Sequence, residues 1–99
     1  MKRASVSFVI PVHNGARYLR ESIESALNQT VAPAEVIVVD DGSEDDSAAI
    51  AESFGHPARC VRIGHAGQAA ARNHGVSVAS GDFIAFLADV RRSRRSNLG

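Results

Sequence analysis

Apolar residues occur in four short runs along the chain, and stretches with helical spacing separate them. The run from Val36 to Val39 contains no polar residue, which is typical of a strand buried on both faces of a sheet. Similar runs at Val6 to Val12, Arg59 to Ile63 and Asp82 to Leu87 predict three more strands. The pattern therefore predicts a small sheet with at least one fully buried strand.

Between the strands, apolar positions recur every three or four residues, as they do on the buried face of a helix. Asn14 is the expected N-cap of the first helix, and Ser43 with Asp46 resembles a capping box at the start of the second. Gly75 is expected to weaken the third helix. The predicted helices are Ala16 to Gln29, Glu44 to Phe54 and Gln68 to Ala79.

Strands and helices alternate as βαβαβαβ, with short connections between them. Right-handed crossovers then give a three-layer α/β/α fold around a mainly parallel sheet of about four strands, similar to a Rossmann fold. In the commonest arrangement the first strand is central, and the loops after the first and second strands face a shared crevice.

Polar residues follow both of these strands, and this position predicts a nucleotide-type site formed by His13, Asn14, Asp40 and Asp41. Two simpler interpretations stay open: one aspartate only shapes the turn, or His13 is a loop residue without a ligand. Neither GxGxxG nor GxxxxGK[ST] is present, which disfavours dinucleotide dehydrogenases and P-loop enzymes. The four histidines are dispersed and lack zinc-site spacing.

The composition fits one globular domain of 99 residues with a formal net charge of zero. All eleven acidic residues, but only five of the eleven basic ones, lie between Ala4 and Val90, and an acidic body argues against nucleic-acid binding. The single cysteine, Cys60, is expected to be a small buried hydrophobe. We find no membrane span and no complete secretion signal, so the expected compartment is the cytoplasm.

Four segments, taken together and in order, resemble glycosyltransferase family 2. They are VSFVIPVHNGARYLRESIESALNQT, EVIVVDDGSEDDS, HAGQAAARNHG and GDFIAFL. The resemblance extends from about Val6 to Leu87 and corresponds to the N-terminal, nucleotide-binding half of the GT-A fold. It implies transfer of a sugar, usually with inversion, from a nucleoside diphosphate donor in the presence of Mg²⁺ or Mn²⁺.

The resemblance also implies roles for individual residues. Asp41 matches the aspartate that accepts a hydrogen bond from the base, and an acceptor-only carboxylate selects the imide N–H of uracil, so a UDP-linked donor is expected. Arg72 would offset diphosphate charge, unless it is simply a solvated helix residue. The implied nucleotide-binding residues are Pro11, His13, Asn14, Asp40, Asp41, Arg72 and Asn73.

The chain departs from the family pattern at its end. Where the family has FLDADD or a similar segment, this chain has Ala88, Asp89 and Val90, so Asp89 is the one implied metal ligand. The resemblance places the acceptor half with the catalytic base after this segment, so we expect these 99 residues to lack it, and no catalytic residue is assigned. We expect a truncated donor-binding domain over 1–90 and a basic, disordered tail over 91–99.

Two functions remain open for such a chain. The first is a family 2 glycosyltransferase that is inactive without its acceptor half. The alternative is a catalytically dead module that binds nucleotide or associates with itself. Because an exposed edge strand pairs readily with another chain, we also expect a homo-oligomer formed by edge pairing or by swapping of the C-terminal segment.

Overall fold

A computed structural model of the protein describes residues 5–29 and 33–87, and it confirms the alternating α/β architecture. Four parallel strands form one sheet in the order β3-β2-β1-β4. Most boundaries differ by only one to three residues from those predicted. The elements are β1 (Val6–Val12), α1 (Ala16–Leu27), β2 (Glu35–Asp41), α2 (Ser47–Glu52), β3 (Ala58–Ile63), α3 (Gln68–Val78) and β4 (Phe83–Phe86).

Strand β1 lies inside the sheet, between β2 and β4. Its register places Ser7 opposite Glu35 and Val12 opposite Asp40, while β3 continues the sheet beyond β2. Because all four strands are parallel, they begin at one edge, the amino edge, and end at the other, the carboxyl edge. The loops after β1, β2 and β3 therefore meet at the carboxyl edge.

The two faces of the sheet carry separate apolar clusters. On one face, Val36 and Val38 of β2 pack with residues of α1 and α2. On the other face, Ile37 and Val39 pack with Ala71 of α3. All seven residues of β2 are buried, which explains why its sequence shows no polar alternation.

Gly75 brings α3 close to the sheet. It is buried, and a Cβ atom at this position would overlap the Cγ1 atom of Val9 in β1. The glycine therefore has a packing role that offsets its low helix propensity.

The predicted N-cap of α1 and the predicted start of α2 are wrong. Gly15, not Asn14, is the N-cap of α1, and α2 begins at Ser47 with Asp46 as its N-cap and no side-chain capping bond. The reason is competition from another loop: Ser43 accepts a hydrogen bond from the Asn14 backbone, and the Asn14 side chain accepts one from Glu44. Side chains expected to cap helices instead connect the two loops.

At the amino edge, Glu35 is buried at the centre of a polar network. Its Oε2 accepts hydrogen bonds from the Ser7 hydroxyl (2.7 Å) and the Ser80 backbone N–H (2.6 Å), and Arg59 Nη2 lies 3.3 Å from Oε1. Burial raises the pKa of Glu35, but these hydrogen bonds and the Arg59 charge lower it by more, so the net shift is downward. Through these contacts the network connects β1, β2, β3 and the segment after α3.

Strand β4 is an edge strand that pairs only with β1 in the described sheet. Phe83 is 61% exposed and Phe86 is 46% exposed. Since they are three residues apart in a strand, they lie on opposite faces of the sheet. Both faces of the sheet are therefore apolar and open at this edge.

Candidate functional site

Four of the predicted site residues lie at the carboxyl edge of the sheet, two of them in a loop and two at the end of a strand. The loop after β1 contains His13 and Asn14, and the loop after β2 follows Asp40 and Asp41. The loop after β3, from Gly64 to Gly67, joins them and contributes residues that the sequence analysis did not single out. The edge is thus built from three loops, one more than predicted.

The loops after β1 and β2 are hydrogen-bonded to each other through Asn14. Its backbone N–H donates to the Ser43 hydroxyl (2.8 Å), and its side-chain Oδ1 accepts from the Glu44 N–H (2.8 Å). Asn14 has φ 52°, in the left-handed region that asparagine tolerates better than most residues. In this structure Asn14 therefore shapes the edge by joining the loops.

The Asp45 side chain, from the loop after β2, caps the amino end of α1. Its carboxylate accepts hydrogen bonds from the Ala16 N–H (3.1 Å) and from the Ser47 hydroxyl (2.6 Å). Burial raises the pKa of Asp45, but these bonds lower it by more. The carboxylate thus places negative charge at the start of a helix that has no acidic residue in its first turn.

Asp40 and Asp41 point to opposite faces of the sheet, because successive residues of a strand alternate. Asp40 is fully buried, and its Oδ1 accepts a hydrogen bond from the Ser43 N–H (3.1 Å). Arg62 Nε lies 3.2 Å from Oδ2, near enough for an ion pair but without hydrogen-bond geometry. Asp40 therefore supports the turn from inside the protein.

Asp41 fixes the loop that leads into α3. Its two carboxylate oxygens accept the backbone N–H groups of Ala66 (2.7 Å) and Gly67 (2.9 Å), and the residue is 1% exposed. Burial raises the pKa of Asp41, but these two N–H donors, together with the nearby His65 and His13, lower it by more. Asp41 is therefore an anion held in a defined orientation.

Two imidazole rings lie beside Asp41. The rings of His13 and His65 are stacked, with centroids 4.2 Å apart and planes inclined by 28°. Their Nδ1 atoms lie 2.8 Å and 3.2 Å from the backbone carbonyl oxygen of Asp41. His65 Nδ1 also lies 3.3 Å from Asp41 Oδ2. The three residues form one group, which we call the His13–Asp41–His65 cluster.

Gly42 makes this cluster possible. It has φ 72°, and a Cβ atom there would lie 2.8 Å from the backbone nitrogen of His65, closer than such atoms approach each other. Only glycine allows β2 to turn away while the loop after β3 packs against it.

The remaining predicted nucleotide-binding residues lie apart from the cluster. Pro11 is buried within β1, opposite Val39 of β2. Arg72 and Asn73 lie in the second turn of α3, and within residues 5–29 and 33–87 neither side chain forms a hydrogen bond or an ion pair. Asp89, the predicted metal ligand, and the predicted tail over 91–99 lie outside the described residues.

Sequence reasoning did not single out His65 or Asp45 at this edge. His65 follows the third strand, so the same strand-end argument that selected His13 and Asp41 points to it. Asp45 gave no such signal, because its partner Ala16 is brought to it only by the folded loops.

Cys60 is not an activated thiol. It is partly buried on β3, and burial together with the negative charge of Asp40 raises its pKa to about 11. The thiol therefore stays protonated near neutral pH, as the expected role of a small hydrophobe requires.

The parallel sheet and its polar carboxyl edge define a Rossmann-like α/β domain with a ligand-type edge. Residues 7–89 match the family described as Glycosyl transferase family 2. The chain therefore belongs to glycosyl transferase family 2, and the resemblance noted in the sequence is confirmed.

Curated relatives are longer than this chain. An uncharacterized glycosyltransferase of Rickettsia bellii is 45% identical over 84 residues, which are 83% of this chain and 12% of the relative. Glycosyltransferase GlyG of Streptococcus pneumoniae is 41% identical over 86 residues, 83% of this chain and 29% of the relative. The chain thus spans less than a third of each.

A solved structure confirms the fold. The mannosyltransferase PcManGT from Pyrobaculum calidifontis, in complex with GDP-Man and Mn²⁺, is similar to this chain with a TM-score of 0.65 and 22% identity. The similarity covers 85% of this chain and 27% of that one. Among residues 5–29 and 33–87, no helix has the length and apolar character needed to cross a membrane.

Proposed function

We propose that this chain is the donor-binding part of a family 2 glycosyltransferase, which transfers a sugar from a nucleoside diphosphate to an acceptor. Family membership over residues 7–89 supports this function. The observation that carries it is the His13–Asp41–His65 cluster, because an acceptor-only carboxylate adjoins two flat rings at the ligand edge of the sheet.

In this proposal Asp41 accepts a hydrogen bond from the imide N–H of uracil, while the base lies against an imidazole ring. Each oxygen of Asp41 already accepts one backbone N–H and keeps a second lone pair for the base. Asp41 is 1% exposed and the His65 side chain lies beside its carboxylate, so we expect that side chain to move aside for the base. That side chain is 60% exposed, so its movement sacrifices little packing.

The diphosphate is assigned to the start of α3 and to a cation. Arg72 would offset phosphate charge, and Asn73 would donate a hydrogen bond beside it. Mg²⁺ or Mn²⁺, when bound, would neutralise the leaving diphosphate, and Mn²⁺ accompanies GDP-Man in the similar mannosyltransferase. Asp40 is buried beside Arg62 and Asp41 is assigned to the base, so Asp89 remains the proposed ligand for the cation at the diphosphate.

The alternative function is a module that binds nucleotide, or associates with itself, without transferring sugar. Under both proposals the described residues include no assigned catalytic base, so this chain alone is expected to bind the donor without turnover. Calorimetric titration with UDP, with and without Mn²⁺, separates the two. Binding strengthened by Mn²⁺ supports a working donor site. The absence of heat at millimolar UDP would indicate a module that does not bind nucleotide.

Replacement of the base-contacting residue tests the assignment directly. Asp41→Ala is expected to abolish UDP binding, and Asp41→Asn to weaken it by tenfold or more, since one acceptor oxygen becomes a donor (about 1–3 kcal/mol). Asp45→Ala is the matched control, because it removes a carboxylate from the same edge without touching the rings. Unchanged affinity in a folded Asp41→Ala protein would refute the assignment.

We also infer that the edge of β4 pairs with a second copy of the chain. Within the part of the chain that the structure describes, one edge of β4 is unpaired and Phe83 and Phe86 are exposed, and strand pairing would cover both rings. Light scattering is expected to give a dimer that Phe83→Ser weakens. A monomer across micromolar concentrations would contradict the inference.

A further inference from the structure

The His13–Asp41–His65 cluster offers two imidazole rings beside a carboxylate, and imidazole is not among the ligands assigned to the proposed Mg²⁺ or Mn²⁺ site. Each of its three residues offers one ligand atom, and these atoms all lie within 4.8 Å of one another. The three come from the loop after β1, the end of β2 and the loop after β3, so no sequence spacing reveals the group. We propose that this cluster binds Zn²⁺ or a similar borderline transition metal, at a site distinct from the one that holds the donor diphosphate.

The ligand chemistry determines the class of ion. Two imidazole nitrogens and one carboxylate oxygen form a common ligand set for Zn²⁺, with further positions left for water. Mg²⁺ prefers an octahedral shell of oxygen atoms and retains its water, so it gains little from imidazole. The cluster therefore discriminates between the two kinds of cation.

The geometry is close to that of a metal site. His65 Nδ1 and Asp41 Oδ2 are 3.3 Å apart. Tetrahedral Zn²⁺, with bonds of about 2.0–2.2 Å, needs ligand atoms about 3.3–3.5 Å apart. That pair already fits, and the His13 ligand atom lies within 4.8 Å of both. The ion would replace the contacts that the Nδ1 atom of each ring now makes with the backbone carbonyl oxygen of Asp41.

Backbone N–H groups orient the cluster, and its two imidazole rings are accessible to solvent. Ala66 and Gly67 hold the Asp41 carboxylate through their N–H groups, which is the kind of outer support that orients metal ligands. The lone pairs that they leave free remain available to a cation. The His65 side chain is 60% exposed and His13 is half-buried, so an ion reaches the cluster from solvent.

Metal binding has a regulatory consequence that rests on the proposed function. Both the base and the ion would use Asp41, and the ion would hold His65 in the position that blocks the base. Zn²⁺ is therefore expected to compete with UDP for the chain. Its binding in the absence of nucleotide does not depend on the proposed function.

Calorimetric titration of the full chain with Zn²⁺, without nucleotide, tests the site. We expect one equivalent to bind, excess Mg²⁺ not to compete, and His13→Ala and His65→Ala each to weaken binding by about tenfold or more. His74→Ala, which removes a histidine from α3 away from the cluster, is the matched control and should bind as the unmodified chain does. Circular dichroism of each variant verifies that it is folded.

Co²⁺ absorption gives a second measurement that folding defects do not imitate. Nitrogen and oxygen ligands predict d–d bands without the intense sulfur charge-transfer band that Cys60 would produce. No saturable binding below millimolar Zn²⁺, equal losses in His65→Ala and His74→Ala, or a sulfur band would overturn the proposal. If Zn²⁺ binds but does not affect UDP, the metal site stands and the shared use of Asp41 is wrong.

Discussion

The amino and carboxyl edges of the sheet both bury acidic side chains, but these side chains have different partners. At the amino edge, Glu35 is satisfied largely by side chains from neighbouring elements, Ser7, Ser80 and Arg59. At the carboxyl edge, Asp41 is satisfied by backbone N–H groups, and two accessible imidazole rings lie against it.

The difference shows that a buried acid with a lowered pKa does not by itself mark a functional site. The pKa values of Glu35 and Asp41 are both lowered, and in each case hydrogen bonds and nearby positive charge together outweigh the effect of burial. What distinguishes Asp41 is its neighbours: the His65 side chain beside it is exposed to solvent, whereas the partners of Glu35 connect strands of the sheet. Substitution of Glu35 should therefore lower mainly the stability of the fold, whereas substitution of Asp41 should weaken mainly ligand binding.

The largest expected effect is the loss of stability in Glu35→Ala. Removal of this carboxylate leaves the Ser7 hydroxyl and the Ser80 N–H without their acceptor and is expected to lower the free energy of unfolding by about 3 kcal/mol. UDP affinity of the folded fraction should not change. Urea denaturation measures the free energy of unfolding, and calorimetry measures UDP affinity. A loss of affinity as large as that of Asp41→Ala would show that the two edges do not differ in function.

Gly42→Ala is expected to affect both stability and binding at the carboxyl edge. The new Cβ meets the His65 backbone at a positive φ, and the loss of stability should be about 2 kcal/mol, with weaker Zn²⁺ binding. Gly55→Ala is the matched control, because Gly55 also has a positive φ, 71°, but nothing lies within 4 Å of its Cβ position. Equal losses in the two variants would argue against a specific contact with His65.

We expect acidic pH to lower the free energy of unfolding through the carboxylates at both edges of the sheet. At mildly acidic pH this loss should be smaller than the loss caused by Glu35→Ala or Gly42→Ala. The pKa values of Glu35, Asp41 and Asp45 are lowered in the folded state, so each residue stabilises the fold above its unfolded pKa of about 4. That stability is lost as pH falls through the folded pKa values. Urea midpoints between pH 6 and pH 3 measure the loss, and Glu35→Gln should flatten the curve. If Glu35→Gln leaves the pH dependence of stability unchanged, the amino edge does not contribute to that dependence.

The smallest expected effect is that of Asp45→Ala, about 1 kcal/mol, through loss of the charge and the acceptor at the start of α1. Asp46→Ala is the control: Asp46 is the N-cap of α2, but its side chain makes no capping bond. Thermal unfolding compares the two variants, and an Asp46→Ala loss as large as that of Asp45→Ala would contradict the assigned cap.

Much of the fold was predictable, because the signals that determine it are local. The unbroken apolar run of β2 identified a doubly buried strand, and the alternation of strands and helices gave the parallel sheet. The start of α2 was not predictable in this way. Ser43 has the sequence of a helix cap, but Asn14, 29 residues earlier in the chain, engages its hydroxyl in the folded protein.

The candidate site was predictable as a location but not as an arrangement. Strand ends selected His13 and Asp41, whereas strand alternation separates Asp40 from Asp41 onto different faces of the sheet. The stacking of His13 on His65 depends on the registers of three strands, which no local pattern encodes.

The position of β1 also affects how the chain folds during synthesis. Among the four strands that the structure describes, the first one made is an inner strand of the sheet and its partner β4 is the last, with Ser5 and Asp82 bonded across 77 positions of the chain. A nascent chain can pair β1 with β2 and β3 early, but one edge of β1 stays open until β4 leaves the ribosome. During that interval the open edge is a surface for a holding chaperone or for misassembly with another nascent chain.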